Sequence, residues 1–325
     1  MRILISSTML PGTRTQCLGV AARLQERFRA QGLEVRCEPL TRWDIVRACV
    51  PFSRLFSEPV VVVSCAQVGS RRARRFRRLR RDAYWAHIEV PQMKAPLPDL
   101  ALISHHDWQP ALDSDARAMK LHGVPHTIGA GASPSERTAA RAQLGLAEEA
   151  VASVILIGGP NAAFDYDRSV TDRIAQRIQN EMEQGRHVFV SASRRTNPET
   201  IALLQSMRHD RLKIYDGVSA NPYRAYLAGG DFFFVTEDSL TMCCEALATG
   251  KPVAVMPLVA REGERLEKFR RFQAHLVEDL DVLRFEGDVE NFVRSDFPDD
   301  AARAADRICD DLRKRGILPA KGENA

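Results

Sequence analysis

Short apolar runs alternate along the chain with longer amphipathic stretches. In the first half the runs at residues 2–6, 33–37, 59–64, 85–90, 100–104 and 124–128 are rich in Val, Ile and Leu, as strands buried on both faces should be. Between the first two, Leu18, Ala22 and Phe28 recur at helical spacing within residues 15–31, and Gly32 ends the pattern. The second half restarts the alternation with runs at 151–157, 187–191, 212–215, 231–236 and 252–256. Strands that alternate with helices build parallel, doubly wound sheets. The expected fold class is α/β, with two Rossmann-like domains. Residues 129–147 open Gly-Ala-Gly-Ala-Ser-Pro-Ser-Glu and continue as a short helical stretch ending near Gly145. They read as the connection, so the domains are expected at 1–132 and 133–325. Residues 299–316 form an amphipathic tail helix carrying Ala302, Ala305, Ile308, Cys309 and Leu312, free to pack back on the first domain.

The length of 325 residues supports two cores better than one. Hydrophobic residues at 45% and charged residues at 27% exclude a disordered chain. A net charge of +4 is too small for a dedicated nucleic-acid binder. Seven cysteines with no CxxC point to a reducing compartment. The amino terminus lacks the length and cleavage site of a signal peptide, and the apolar run at 60–63 falls far short of the roughly 20 residues that span a bilayer. The expected location is cytoplasmic, or peripheral to the inner face of the membrane.

In open parallel sheets, ligands bind beyond the carboxyl ends of the strands. In the second half those ends carry Gly158-Gly159-Pro160, Ser193-Arg194-Arg195-Thr196, Asn221-Pro222-Tyr223 and Thr236-Glu237-Asp238-Ser239. Paired glycines let a ligand approach the backbone, and a helix following them would offer free amides to phosphate. Arg194 and Arg195 suit a diphosphate, because guanidinium forks match phosphate oxygens. Ser239 is a good N-cap, and Met242 and Glu245 lie on about one face of the helix it starts. A carboxylate placed like that of Glu245 can accept both hydroxyls of a ribose. Taken singly, each feature has a plainer use as a turn, a solvated face or a cap. Four such loops on one sheet edge make the case for a ligand site.

The segments Leu156-Ile157-Gly158-Gly159-Pro160, Ser193-Arg194-Arg195-Thr196, Asp216-Gly217 with Asn221-Pro222-Tyr223, and Thr236-Glu237-Asp238-Ser239-Leu240-Thr241-Met242 with Glu245-Ala246 and Thr249-Gly250-Lys251-Pro252 resemble a bacterial family named for a plant mitochondrial fission factor. Lys268-Phe269-Arg270-Arg271-Phe272 fits the same pattern, and Gly12-Thr13-Arg14-Thr15-Gln16 and His106-Asp107 resemble its looser first-half elements. The resemblance implies a GT-B-like fold with a ligand cleft between an acceptor domain and a donor domain. It implies a glycosyltransferase that moves a sugar from a nucleotide-diphosphate donor to an acceptor hydroxyl on a glycan or lipid-linked molecule. By that analogy the loops at Gly158, Ser193, Asn221 and Asp238 line the donor pocket, Glu245 meets the ribose, Lys268 assists, and Gly12, Thr13 and Gln16 belong to the acceptor side. Asp107 or His106, at the end of a first-half strand, is the expected base. Arg194, Arg195 and helix amides would stabilise the departing diphosphate without a metal, and no cofactor beyond the donor substrate is expected. The rival reading is a non-catalytic nucleotide-sugar-binding or membrane-associated scaffold.

The chain departs from the family pattern where Arg71, Arg72, Arg74, Arg75, Arg77, Arg78, Arg80 and Arg81 crowd one segment. Ala73, Phe76, Leu79 and Ala83 form a packing stripe there, and the arginines are expected to face out. A solvated face is their plainest use; beyond that, an anionic membrane surface or a phosphorylated acceptor suits them better than nucleic acid, because no aromatic platform accompanies the charge. The spacing of Glu237 to Glu245 matches a sugar-transfer signature by chance, with no role expected of Glu237. The Asp165-Tyr166-Asp167 string reads as acids that complement a helix start, and the histidines His105, His106, His122 and His126 lack the spacing of a metal site.

Overall fold

The computed structural model describes residues 1–8, 10–49, 58–92, 94–129, 131–215, 217–285 and 296–320. The chain divides into two compact units, Met1–Thr127 together with the chain from Asp299 onward, and Ile128–Pro298. The division falls five residues before the expected boundary at 132, and the connecting helix belongs wholly to the second unit.

The first unit runs β1 (Arg2–Ser6), α1 (Pro11–Arg29), β2 (Arg36–Pro39), α2 (Arg42–Ala48), β3 (Val60–Cys65), α3 (Ala66–Leu79), β4 (Tyr84–Ile88), β5 (Leu100–Ser104) and β6 (Ala118–Leu121). The six strands pair in the order β2-β1-β3-β4-β5-β6, all parallel. Alternate side chains divide the sheet between two cores. Ile3, Val61, Val63 and Tyr84 meet Val20, Leu24 and Phe28 of α1 on one face. Leu4, Val60, Val62 and Trp85 meet Ala48 of α2 and Ala73 and Phe76 of α3 on the other.

Three expectations change here. Helix α1 begins at Pro11, four residues early, because a proline is at home in the first helical turn, where no N–H is needed. The sixth strand is Ala118–Leu121 instead of 124–128. Pro125 has no N–H for a ladder, and the preceding Gly123 N–H is already held by the Asp300 carboxylate at 2.7 Å. The arginines do not all face out. Arg74 and Arg80 are buried, Arg74 donating to the Gln92 carbonyl at 3.3 Å and Arg80 pairing with Asp82 at 2.7 Å. Arg77 pairs with the half-buried Asp99 at 3.4 Å. Arg77 and Arg80 follow Ala73 by four and seven residues, so they share its inward side.

The second unit runs α4 (Pro134–Leu144), β7 (Ala152–Ile157), β8 (Phe164–Asp165), α5 (Arg168–Glu183), β9 (His187–Ala192), α6 (Pro198–Ser206), β10 (Leu212–Ile214), α7 (Tyr223–Gly229), β11 (Phe232–Thr236), α8 (Leu240–Ala248), β12 (Val253–Met256), β13 (Val259–Ala260), α9 (Glu264–Ala274) and β14 (Arg284–Phe285). Its parallel sheet has the order β10-β9-β7-β11-β12-β14. β8 and β13 form a separate antiparallel pair, too short to leave a periodic signal in sequence. Arg137 and Arg141 of α4 both reach Asp231, at 2.6 and 3.3 Å, which fastens the former linker to this unit.

The chain then returns to the first unit as α10 (Asp300–Lys314). Ala304, Ala305, Ile308 and Leu312 pack beside α1 in the first core, and the buried Tyr84 hydroxyl donates to Asp311 at 2.8 Å. No helix among the described residues is long and apolar enough to cross a membrane.

Candidate functional site

In the second sheet the chain places β9 and β10 on one side of β7 and β11, β12 and β14 on the other. The order therefore reverses between β7 and β11, the place where open α/β sheets bind ligands. The residues at those two strand ends are Gly158-Gly159 and Thr236–Ser239.

One buried carboxylate joins the loops. Asp238, with no exposed side-chain surface, accepts the Gly159 N–H at 3.0 Å, the Thr236 hydroxyl at 2.8 Å and the Tyr166 hydroxyl at 3.4 Å. Arg195 from the β9 loop donates to the same carboxylate at 2.7 Å and to the Gly159 carbonyl at 2.8 Å. Thr236 accepts the Gly158 N–H at 2.7 Å, and the Thr196 hydroxyl donates to the Gly158 carbonyl. The ends of β7, β9 and β11 are thus tied into one knot.

This arrangement corrects the reading of the paired glycines. No helix follows them, and their amides are taken by Thr236 and Asp238. A Cβ on Gly158 would lie 2.1 Å from the Asp238 carboxylate, and one on Gly159 would lie 2.2 Å from the Arg195 carbonyl. The glycines make room for protein atoms. Asp238 and Arg195 likewise serve the knot itself, leaving the exposed Arg194 as the cation whose side chain pairs with no described acid. The Ser193 hydroxyl accepts the Arg195 N–H at 3.1 Å and lies 3.3 Å from the Thr196 hydroxyl. Pro160 contributes a carbonyl 3.3 Å from Arg195.

Ser239 caps α8, accepting the Met242 N–H at 3.4 Å. Glu245 lies six residues further, about 9 Å along the axis. It is buried, and its carboxylate accepts the Tyr223 hydroxyl at 2.6 Å. Burial pushes the Glu245 carboxyl up to about 7, against the opposing pull of the Tyr223 bond. One of its oxygens is therefore already engaged. Asn221 turns its side-chain oxygen to the Tyr223 N–H at 3.0 Å, and Pro222 stands at the N-cap of α7. Lys268 is half-buried on α9, next to Phe269, whose ring meets Phe164 edge-on at 5.0 Å. Asp216 lies outside the described residues.

The loosely matching acids have structural work. Glu237 accepts the Leu258 N–H at 3.0 Å, and Asp167 caps α5 through the Val170 N–H at 3.1 Å. Asp165 pairs with Arg261.

In the first unit, Gly12, Thr13 and Gln16 occupy the opening turns of α1, just beyond β1. The Thr13 hydroxyl donates to the Leu10 carbonyl at 2.9 Å, and Gln16 accepts from the Cys65 thiol at 3.8 Å. His106 and Asp107 form a single 3-10 turn after β5, with His106 buried and its Nε2 3.5 Å from Asp107. β3 and β4 lie between β1 and β5, so these two groups stand about three strand spacings apart, roughly 14 Å.

Sequence reasoning missed Tyr166 as a partner of Asp238 and Tyr223 as the partner of Glu245. Each pair joins separate elements and leaves no spacing signal.

Two parallel doubly wound sheets of this order define a GT-B-like chain. The *Escherichia coli* ADP-heptose LPS heptosyltransferase II is similar at a TM-score of 0.51 with 10% identity, over 86% of this chain and 99% of that one. The *Methanocaldococcus jannaschii* UDP-GlcNAc 2-epimerase, solved with UDP-GlcNAc and UDP, is similar at 0.55 with 12% identity, over 97% and 100%. At such identities the likeness is one of fold. The chain belongs to the family described as "Mitochondrial fission ELM1", whose model matches residues 11–312. The *Arabidopsis thaliana* mitochondrial fission protein ELM1 is 26% identical over 281 residues, 79% of this chain but 65% of its own length.

Proposed function

We propose that the second unit binds a nucleoside-diphosphate sugar at the ends of β7, β9 and β11, and that the chain is a glycosyltransferase. The observation that carries this reading is the Asp238 knot at the strand-order reversal, with Arg194 left exposed beside it. The solved fold relatives include a sugar transferase and an epimerase holding UDP-GlcNAc and UDP. In the proposed reaction the acceptor hydroxyl attacks the anomeric carbon, and the bond from that carbon to the diphosphate oxygen breaks. The diphosphate leaves with the electron pair, its charge met by Arg194. Asp107 or His106 takes the hydroxyl proton. The remaining carboxylate oxygen of Glu245 accepts a ribose hydroxyl. The family's name favours a second reading, a scaffold that binds the nucleotide sugar without transferring it.

Calorimetry with UDP, ADP and the parent nucleosides tests the site. A charge-assisted hydrogen bond is worth about 1.5–3 kcal/mol, so Arg194→Ala should weaken a diphosphate roughly 10- to 100-fold and leave the nucleoside unchanged. Arg195 is unsuited to this test, because its loss opens the knot. Equal affinities of parent and variant for every diphosphate would overturn the site. Release of the diphosphate only when a glycan or lipid-linked acceptor is added separates transferase from scaffold.

A further inference from the structure

Helices α2 and α3 lie together over one face of the first sheet, their inner sides sharing a core of Ala48, Ala73 and Phe76 against Val62 and Trp85. The sides turned away from the sheet therefore form one continuous outer layer. On α3 that layer carries Arg71, Arg72, Arg75 and Arg78, all exposed, with Val68 at 44% exposure among them. On α2 it carries Arg42 and Arg47, with Trp43 at 73% and Val46 at 53% exposure. The two helices contain a single acid, Asp44, which is buried and held by Arg2 at 2.9 Å and by Thr41. Six cations thus face outward with no acid among them, interleaved with three exposed apolar side chains.

We propose that this α2–α3 layer docks on an anionic lipid bilayer. The cations match phosphate and carboxylate headgroups in charge. Trp43, Val46 and Val68 give the layer what a purely electrostatic partner does not use, an apolar edge that enters the headgroup boundary, where tryptophan rings are favoured. A nucleic acid fits less well, because a single exposed ring offers no stacking series for successive bases. Attachment of this kind is reversible and screened by salt, since the attraction fades within a Debye length of about 10 Å at 0.1 M. The surface is built from the first unit, whereas the residues of the proposed nucleotide site belong to the second.

Flotation of the full chain with vesicles of phosphatidylcholine containing about one-third phosphatidylserine tests the proposal. The expected result is recovery at low salt, at least tenfold less recovery at high salt or with phosphatidylcholine alone, and a similar loss for the quadruple variant R71Q/R72Q/R75Q/R78Q. The matching arginine-to-lysine quadruple should retain recovery. Trp43→Ala should lower recovery at fixed salt while leaving the salt dependence in place. Each variant should keep the parent's thermal midpoint, since the replaced side chains are exposed. Recovery equal on neutral and anionic vesicles, recovery unaffected by the quadruple glutamine change, or capture of single-stranded RNA without capture of vesicles would each overturn it.

Discussion

Asp238 is a hub whose worth can be separated by two substitutions. In Asp238→Ala the Gly159 N–H loses its acceptor, the Thr236 and Tyr166 hydroxyls lose theirs, and Arg195 loses its carboxylate. Breaking a buried ion pair by removing one member costs about 3–5 kcal/mol. Arg195 is 45% exposed, so water rehydrates it and the lower part of that range applies to the pair. The stranded Gly159 amide adds about 1–3 kcal/mol, for a total near 4–5. In Asp238→Asn the outcome differs. An amide oxygen in place of Oδ2 still accepts from Gly159 and Arg195, and the new NH2 group donates to the Thr236 and Tyr166 oxygens, which rotate to receive it. Only the charge is lost, about 1–2 kcal/mol. For a unit of this size each kcal/mol shifts the thermal midpoint by about 2–4 °C. Scanning calorimetry should therefore show the second unit melting about 10–15 °C lower in Asp238→Ala and about 3–6 °C lower in Asp238→Asn. Alanine and asparagine variants that melt together, or within a degree of the parent, would refute the knot and return Asp238 to the pocket wall.

Two pH effects follow from buried groups, with opposite signs. The Glu245 carboxyl lies at about 7 in the folded chain against 4.5 ordinarily, so between those values the folded state holds a proton that the unfolded chain has released. Stability of the second unit should fall by up to about 3 kcal/mol as pH rises through that window; thermal midpoints of Glu245→Gln should lack the slope, and parallel curves would exclude it. Burial lowers His87 to about 4 from 6.5, while its Nδ1 meets the Ser64 hydroxyl at 2.9 Å and Trp85 donates to that hydroxyl at 2.7 Å. Here the unfolded chain takes the proton first, so stability of the first unit is full above pH 6.5 and should fall by up to about 3 kcal/mol toward pH 4. His87→Asn should flatten that acid limb in the same melting experiment, and an unchanged limb would assign it elsewhere.

Local pattern carries far in this protein. The all-apolar run of β3, the Gly145 stop of α4 and the Ser239 cap of α8 are written within a few residues, and the structure places them where the pattern does. Four strand-end loops of the second half were legible for the same reason, since each follows directly on its strand. What each loop residue does was not legible. Gly158 and Arg195 read as ligand contacts until Asp238, 80 and 43 residues away in the chain, is seen between them.

The division has a physical cause. Helical and strand periodicity, turn residues and caps act over three or four positions, so the chain by itself determined the α/β alternation, most strand positions and the cationic, amphipathic character of α3. Burial of an individual polar side chain depends on whatever packs against it from afar. Only the tertiary structure decided that Arg74 and Arg80 turn inward, that 124–128 yields its place to Ala118–Leu121, that Asp300 holds Gly123, and that Tyr223 reaches Glu245. Side chains of one type are equivalent in sequence; they become different once desolvation and a specific partner set the free energy of each.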